Sequence, residues 1–212
     1  SVAMTTNGVL LSRFARVLRA AGLGSVNMSL DSLVPERFAR ITLRDHFDRV
    51  LAGLDAALAA GFVPLKINTV VIRGFNDDEL PAFVELTRTK PVHVRFIEYM
   101  PFRDNRWARE RLLSYDAMRE ILEQRYALEP VAPEDPAQPA RDFQVPGYCG
   151  RVGIIASMTR PFCERCSRLR LTAEGALKSC LFHAPESGLR DVLRAGITND
   201  ELADRIRAAV LG

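Results

Sequence analysis

No run of this chain approaches the roughly 18 consecutive apolar residues that a membrane-spanning helix needs. No basic-then-apolar leader opens it, so it is expected to be cytoplasmic, with no export signal and no membrane partner. No block of like charge is present. The 29 Lys and Arg are interleaved with 26 Asp and Glu for a net charge of +3, which argues against a dedicated nucleic-acid stripe and for no nucleic-acid partner. Cysteine is scarce. Four in 212 residues do not make a disulfide scaffold, and a close pair in a reducing compartment points to metal or redox work instead. There is no internal repeat and no low-complexity tract. There is also no lead-in: "SVAMTTNG" reads as a strand already inside a fold, and "RIRAAVLG" stops on a helix, so the chain is expected to be a fragment of a longer protein.

What is present can build a core, since 48% of the residues are hydrophobic. The first 100 residues alternate strand and helix. Strands are expected at "VAMTTNG", "SVNMSLD", "PLKINTVVI" and "VHVRFIEYM". Between them lie a helix over 9–22 carrying Leu10, Leu11, Phe14, Val17, Leu18 and Ala21 at helical spacing, a second carrying Phe47, Val50, Leu51, Leu54 and Leu58, and a third opened by "NDDELPAFVELT". This order implies parallel strands with helices outside.

Buried parallel strands are normally continuous apolar runs. These alternate. Thr5 and Asn7 share one face, as do Asn27, Ser29 and Asp31, then Lys66 and Asn68, then His93 and Arg95. Val2, Met4, Val26, Met28, Leu30, Leu65, Ile67, Val94 and Phe96 share the other. Because side chains alternate strictly along a strand, the apolar faces meet the helices and the polar faces line one interior that holds a polar ligand. An inward Lys or Arg is costly unless paired, and Asp31 is the main inward acid, so Lys66 and Arg95 imply an anionic ligand.

After Met100 the pattern changes. "PFRDNRWARERLL" reads as loop, and Ser114 caps a helix to about Tyr126. Residues 129–147 hold five prolines and read as a linker or surface excursion. "GRVGIIAS" is a strand, "RLRLT" and "ALKSCLF" form a hairpin around "AEG", and Thr198 with Glu201 forms a capping box for the last helix.

Cys163, Cys166 and Cys180 are spaced C-x2-C-x13-C, so a turn and a hairpin can converge three sulfurs. The spacing leaves three readings open. One is a zinc site completed by Cys149 or His183; another is an iron–sulfur cluster with three cysteine ligands and an open iron; the third is a redox dithiol. Arg168 and Arg170 alternate with Leu169 and Leu171, so both guanidiniums leave one face beside the cysteine pair, where paired Arg forks suit phosphate oxygens.

The segments "TTNG", "NMSLDS", "KINTVVIRGFNDDEL", "VRFIEYMP" and "RPFCERCSRLRLTAEGALKSCLF" occur in an order that resembles the GTP 3',8-cyclase family, the radical S-adenosylmethionine enzymes of molybdenum cofactor biosynthesis. The resemblance runs from about Val2 to the end. It implies an α/β fold, part of an incomplete (β/α) barrel of the radical S-adenosylmethionine type, with a small C-terminal α+β cluster-binding region. Residues 1–113 are then the second half of the partial barrel, and 114–212 are the C-terminal region with the cluster-binding hairpin. It further implies that Cys163, Cys166 and Cys180 hold an auxiliary 4Fe-4S cluster whose open iron binds guanine. Arg168, Leu169, Arg170, Thr5, Lys66 and Arg95 match positions that bind GTP; Ser29 and Met100 match positions at the S-adenosylmethionine site. The family's chemistry cleaves S-adenosylmethionine reductively, abstracts hydrogen from the GTP ribose and closes the carbon radical onto C8. A downstream molybdopterin-pathway enzyme takes the product.

The departures matter. No C-x3-C-x2-C occurs, and neither does the family's early glycine-rich segment; the C-terminal glycine pair is reduced to Gly212. A second 4Fe-4S cluster is therefore expected in a missing N-terminal part, and the chain alone is expected not to cleave S-adenosylmethionine. An open first strand makes a homodimer an expectation. Cys149 is expected as a buried free thiol. The rival reading is a zinc-stapled, four-cysteine, non-catalytic binding module.

Overall fold

The alternating segments up to Met100 become four parallel strands: β1 (Ala3–Thr6), β2 (Ser25–Ser29), β3 (Leu65–Val71) and β4 (Val92–Glu98). The computed structural model describes residues 1–102, 105–182 and 187–211. The chain divides into two units, Ser1–Glu164 and Arg165–Gly212.

In the first unit the connecting helices are α1 (Leu11–Ala20), α2 (Pro35–Thr42), α3 (Phe47–Ala59) and α4 (Leu80–Thr89). Val26, Met28, Leu65, Ile67, Val94 and Phe96, on the apolar strand faces, are fully buried beneath the helices, joined by Val50, Leu54, Phe83 and Val84. Each such side chain contributes about 1.5–3 kcal/mol by leaving water. α1 buries only Leu11 and Ala15, while Leu10, Phe14 and Val17 of the predicted stripe are exposed. Against α1, α3 presents Gly53. A Cβ there would sit 2.3 Å from the Gly8 carbonyl oxygen, which also accepts from Leu11 N at 3.0 Å to open α1.

The sheet continues past the expected boundary at 113/114. After α5 (Tyr115–Glu123) come β5 (Glu129–Val131), β6 (Arg141–Gln144) and β7 (Arg151–Ile155). β7 pairs parallel with β4, β6 antiparallel with β7, and β5 antiparallel with β6, giving the order β1-β2-β3-β4-β7-β6-β5. Residues 129–147 are thus not wholly linker. Proline cannot donate to a ladder, and β5 accommodates Pro130 at the sheet's outer edge, where one side of the strand needs no partner. α2 also lay unseen in the sequence, although Pro35 in its first turn and Glu36 beside it are helix-start signals. Ser114 caps α5 as expected, its hydroxyl accepting from Ala117 N.

The second unit holds a small antiparallel sheet in the order β10-β9-β8, from β8 (Arg170–Leu171), β9 (Ala176–Lys178) and β10 (Ser187–Gly188). The expected hairpin is β8–β9. Gly175, at φ 80°, turns it, and Gly175 N donates to Thr172 O. α6 (Arg190–Arg194) and α7 (Asn199–Leu211) follow, and Thr198 and Glu201 form the expected capping box. His183 and Gly212 lie outside the described residues. Among the described residues, no helix is long and apolar enough to cross a membrane.

Candidate functional site

Register places the inward polar residues of the first unit on two adjacent rungs of the sheet. One rung runs Thr5, Asn27, Lys66, His93, Arg151. The next runs Ser29, Asn68, Arg95, Gly153, Asp142. The pleat puts these residues on one face, since they stand two apart along each strand. Thr5 and Ser29 are exposed; Lys66 and Arg95 are half-buried.

Among the described residues, neither half-buried cation has an ion pair with a carboxylate. Lys66 Nζ makes no hydrogen bond among the described residues. Arg95 donates from Nε to Asn68 Oδ1 at 2.9 Å and from Nη2 to Asn27 Oδ1 at 2.8 Å, both neutral amides. Burial pushes the Arg95 guanidinium below the ordinary arginine range, and the charge of Asp142 only partly opposes this. Asp142 itself is engaged elsewhere: Oδ1 lies 3.0 Å from His93 Nε2, and Oδ2 accepts from Gln138 Nε2 at 2.8 Å. Among the described residues, two positive groups thus stand on one polar face with no carboxylate hydrogen-bonded to them, a charge arrangement that suits an anion.

Ser29 and Met100 line two different cavities. One, of about 640 Å³, is bounded by Met100, Tyr99, Ile72, Phe75 and the arginines Arg40, Arg106 and Arg111. The other, of about 420 Å³, is bounded by Ser29, Asn7, Phe38 and His46. Asp31 lines both. Its Oδ1 accepts from Val70 N at 2.8 Å, and burial pushes its carboxyl up despite that bond.

Glu98, fully buried at the end of β4, accepts from Tyr115 N at 2.8 Å, Met158 N at 2.6 Å, Thr159 N at 2.9 Å and the Thr159 hydroxyl. It thereby fixes the start of α5 and the segment leading to Cys163. Arg160 adds an ion pair to Asp116 at 2.6 Å, with its guanidinium 4.7 Å from the Tyr115 ring centroid.

Cys163, the last residue but one of the first unit, opens a 3-10 turn, Cys163–Arg165, and is exposed. In the second unit Cys166 is exposed and Cys180 half-buried. All three are free thiols. The Arg168 backbone N–H, then its side chain, hold the Cys166 thiol below the ordinary cysteine range, which favours the thiolate that metals require. Arg170 Nη1 is buried with no hydrogen-bond partner among the described residues. Three thiols, a thiolate-stabilising arginine and an orphaned guanidinium N–H fit the donor chemistry of a cluster with an anionic ligand beside it. Among the described residues, no three Cys, His, Asp or Glu are gathered as a metal cage, so the fit is one of donor type. Cys149 corrects an expectation. It is exposed rather than buried, because it sits on the turn before β7, where its N–H donates to Arg88 O at 3.3 Å.

The alternation put Thr5, Lys66 and Arg95 on one polar face, as the register does, but the grip of Asn27 and Asn68 on Arg95 was not expected. Neither was Asp142, which comes from a stretch read as linker.

Residues 92–211 match the family described as Molybdenum Cofactor Synthesis C, and residues 1–87 match the Radical SAM superfamily. Molybdenum cofactor biosynthesis protein 1 of Drosophila melanogaster is 47% identical over 210 residues, covering 99% of this chain and 37% of that protein. The mitochondrial GTP 3',8-cyclase of Arabidopsis thaliana is 44% identical, covering 99% and 54%. The GTP 3',8-cyclase of Peptoclostridium acidaminophilum is 44% identical, covering 97% and 65%. The chain therefore spans between 37% and 65% of the length of these relatives.

Proposed function

Since the chain belongs to the Molybdenum Cofactor Synthesis C family, we propose that it is the substrate-binding and auxiliary-cluster part of a radical S-adenosylmethionine GTP 3',8-cyclase. The whole enzyme converts GTP to (8S)-3',8-cyclo-7,8-dihydroguanosine 5'-triphosphate, which a downstream molybdopterin-pathway enzyme consumes. The observation that carries this reading is the pair of cations Lys66 and Arg95, on adjacent rungs of one polar face with no carboxylate partner among the described residues. A triphosphate supplies the missing negative charge.

Lys66 acts as a point charge and Arg95 as a planar fork, each toward phosphate oxygens. Thr5, on the Lys66 rung, offers a hydroxyl to the same ligand. Arg170 brings its orphaned N–H, and Arg168 and Leu169 complete the stretch beside the cysteine pair. Cys163, Cys166 and Cys180 would hold a 4Fe-4S cluster, and its open iron would accept a base nitrogen or oxygen of the substrate. Ser29 and Met100 would bound the S-adenosylmethionine site, with Asp31 between their cavities. The radical-initiating cluster and the remaining barrel strands are assigned to sequence outside this chain. The partial barrel is the fold consistent with the four parallel strands and their outer helices.

Anaerobic reconstitution followed by iron, sulfide and zinc analysis tests this. Wild type is expected to bind iron and sulfide, and Cys149→Ser to retain both. Arg170→Ala should keep the iron while GTP affinity falls about tenfold, the loss of a charge-assisted hydrogen bond. Zinc at one per chain, lost on Cys149→Ser, would replace the cluster with the zinc-stapled reading.

A further inference from the structure

Arg95 is held in an unusual way for a half-buried guanidinium. Such a group is ordinarily neutralised by a carboxylate, because the desolvation of an unpaired charge costs several kcal/mol. Here the two side chains that grip it are amides. A guanidinium carries only donors, so the oxygens of Asn27 and Asn68 must be the atoms that face it, and the amide orientation follows from chemistry. The grip comes from two strands. Asn27 on β2 takes Nη2 and Asn68 on β3 takes Nε, which fixes the plane of the fork from one edge. Among the described residues, the N–H groups of Nη1 and the second N–H of Nη2 have no hydrogen-bond partner.

Asparagine and aspartate have nearly the same shape. An aspartate at either position would make the same hydrogen bond and also cancel the charge. The neighbouring acids do not cancel it. Asp142 is bonded to His93 and Gln138, and the bond accepted by Asp31 Oδ1 comes from Val70 N. Lys66, one rung away and two residues before Asn68, adds a second positive charge rather than an acid.

We infer that Asn27 and Asn68 are positioning residues that orient Arg95 without adding a negative charge to the partial one that Asp142 exerts, so that a phosphate of the bound nucleoside triphosphate is its counter-ion. The inference rests on the GTP reading above and adds the reason for choosing amides. Their function is orientation without neutralisation, and it makes the site discriminate between a nucleotide and its nucleoside.

The test is calorimetric titration of GTP and of guanosine into the whole chain, reconstituted anaerobically with iron and sulfide, beside thermal melts. Asn68→Asp is expected to melt at or above the wild-type temperature. Its GTP affinity should fall about ten- to a hundredfold, the loss of one charge-assisted contact, while guanosine affinity stays at the wild-type value. Structural damage would instead weaken both ligands together, and that result overturns the inference. So does a GTP affinity equal to wild type. Should Asn68→Asp not fold, Asn27→Asp brings the same charge from the neighbouring strand, and the same outcomes decide. A wild-type chain that does not prefer GTP to guanosine overturns the GTP reading and the inference with it. A preference that survives both substitutions overturns the inference alone.

Discussion

The His93 imidazole reaches the Asp142 carboxylate through the space that Gly153 leaves open. His93 Nε2 and Asp142 Oδ1 are 3.0 Å apart, on β4 and β6, the two strands that flank β7. A Cβ on Gly153 would stand 2.5 Å from that oxygen and 2.9 Å from that nitrogen. Gly153→Ala is therefore expected to push the pair apart. The cost should be about 1–3 kcal/mol, the usual range for overpacking, measured as a shift in the urea midpoint. If the pair relaxes without loss, the midpoint will not move.

Glu98 gathers four donors onto one carboxylate. Glu98→Gln keeps the volume but turns an NH2 group toward backbone N–H groups that it cannot accept from. We expect a loss of about 2–4 kcal/mol, because a hydrogen-bonded buried group is left with unsatisfied neighbours. Hydrogen exchange should report the loss first at Met158 and Thr159. Unchanged protection at those two amides would remove Glu98 from its place as anchor of the segment entering the cysteine turn.

Asp31 supplies a pH dependence. Burial raises its folded pKa above the ordinary aspartate value. The unfolded chain therefore releases this proton first. This contribution to stability is full below the ordinary aspartate range and is lost as pH rises through the raised folded value. Asp31→Asn keeps an oxygen for Val70 N–H and removes the titration. Its urea midpoint is expected to equal wild type in acid and to exceed it at neutral pH. Parallel pH curves for the two proteins would exclude Asp31 as the source.

The polar and apolar alternation of the first four strands was legible because a strand's period is two and its two faces meet different surroundings. It led directly to the rungs that carry Thr5, Lys66 and Arg95. The amide grip on Arg95 was not legible, because Asn27 and Asn68 are 41 residues apart and meet Arg95 only through register. β5 and β6 were hidden by the prolines of their stretch, Pro130 within β5 and Pro139 and Pro146 on either side of β6, which mark an edge as readily as a linker. Cys149 was misplaced because thiols are usually buried, whereas the turn before β7 keeps this one at the surface. Spacing identified Cys163, Cys166 and Cys180 as one set, but spacing does not specify the metal. Their donor type and the Arg168 contact to Cys166 favour thiolate chemistry.

The contact between Gly53 and the Gly8 carbonyl has a consequence for how substitutions will be felt across the fold. Gly53 lies on the outer helix layer, yet the oxygen it accommodates belongs to the turn just after Thr5 and receives the first hydrogen bond of α1. A single methyl group there would displace the mouth of the first strand, not merely crowd two helices. Sensitivity to mutation in this protein should therefore not decline smoothly with distance from the polar face of the sheet. A screen restricted to that face would overlook one of the positions that sets its geometry.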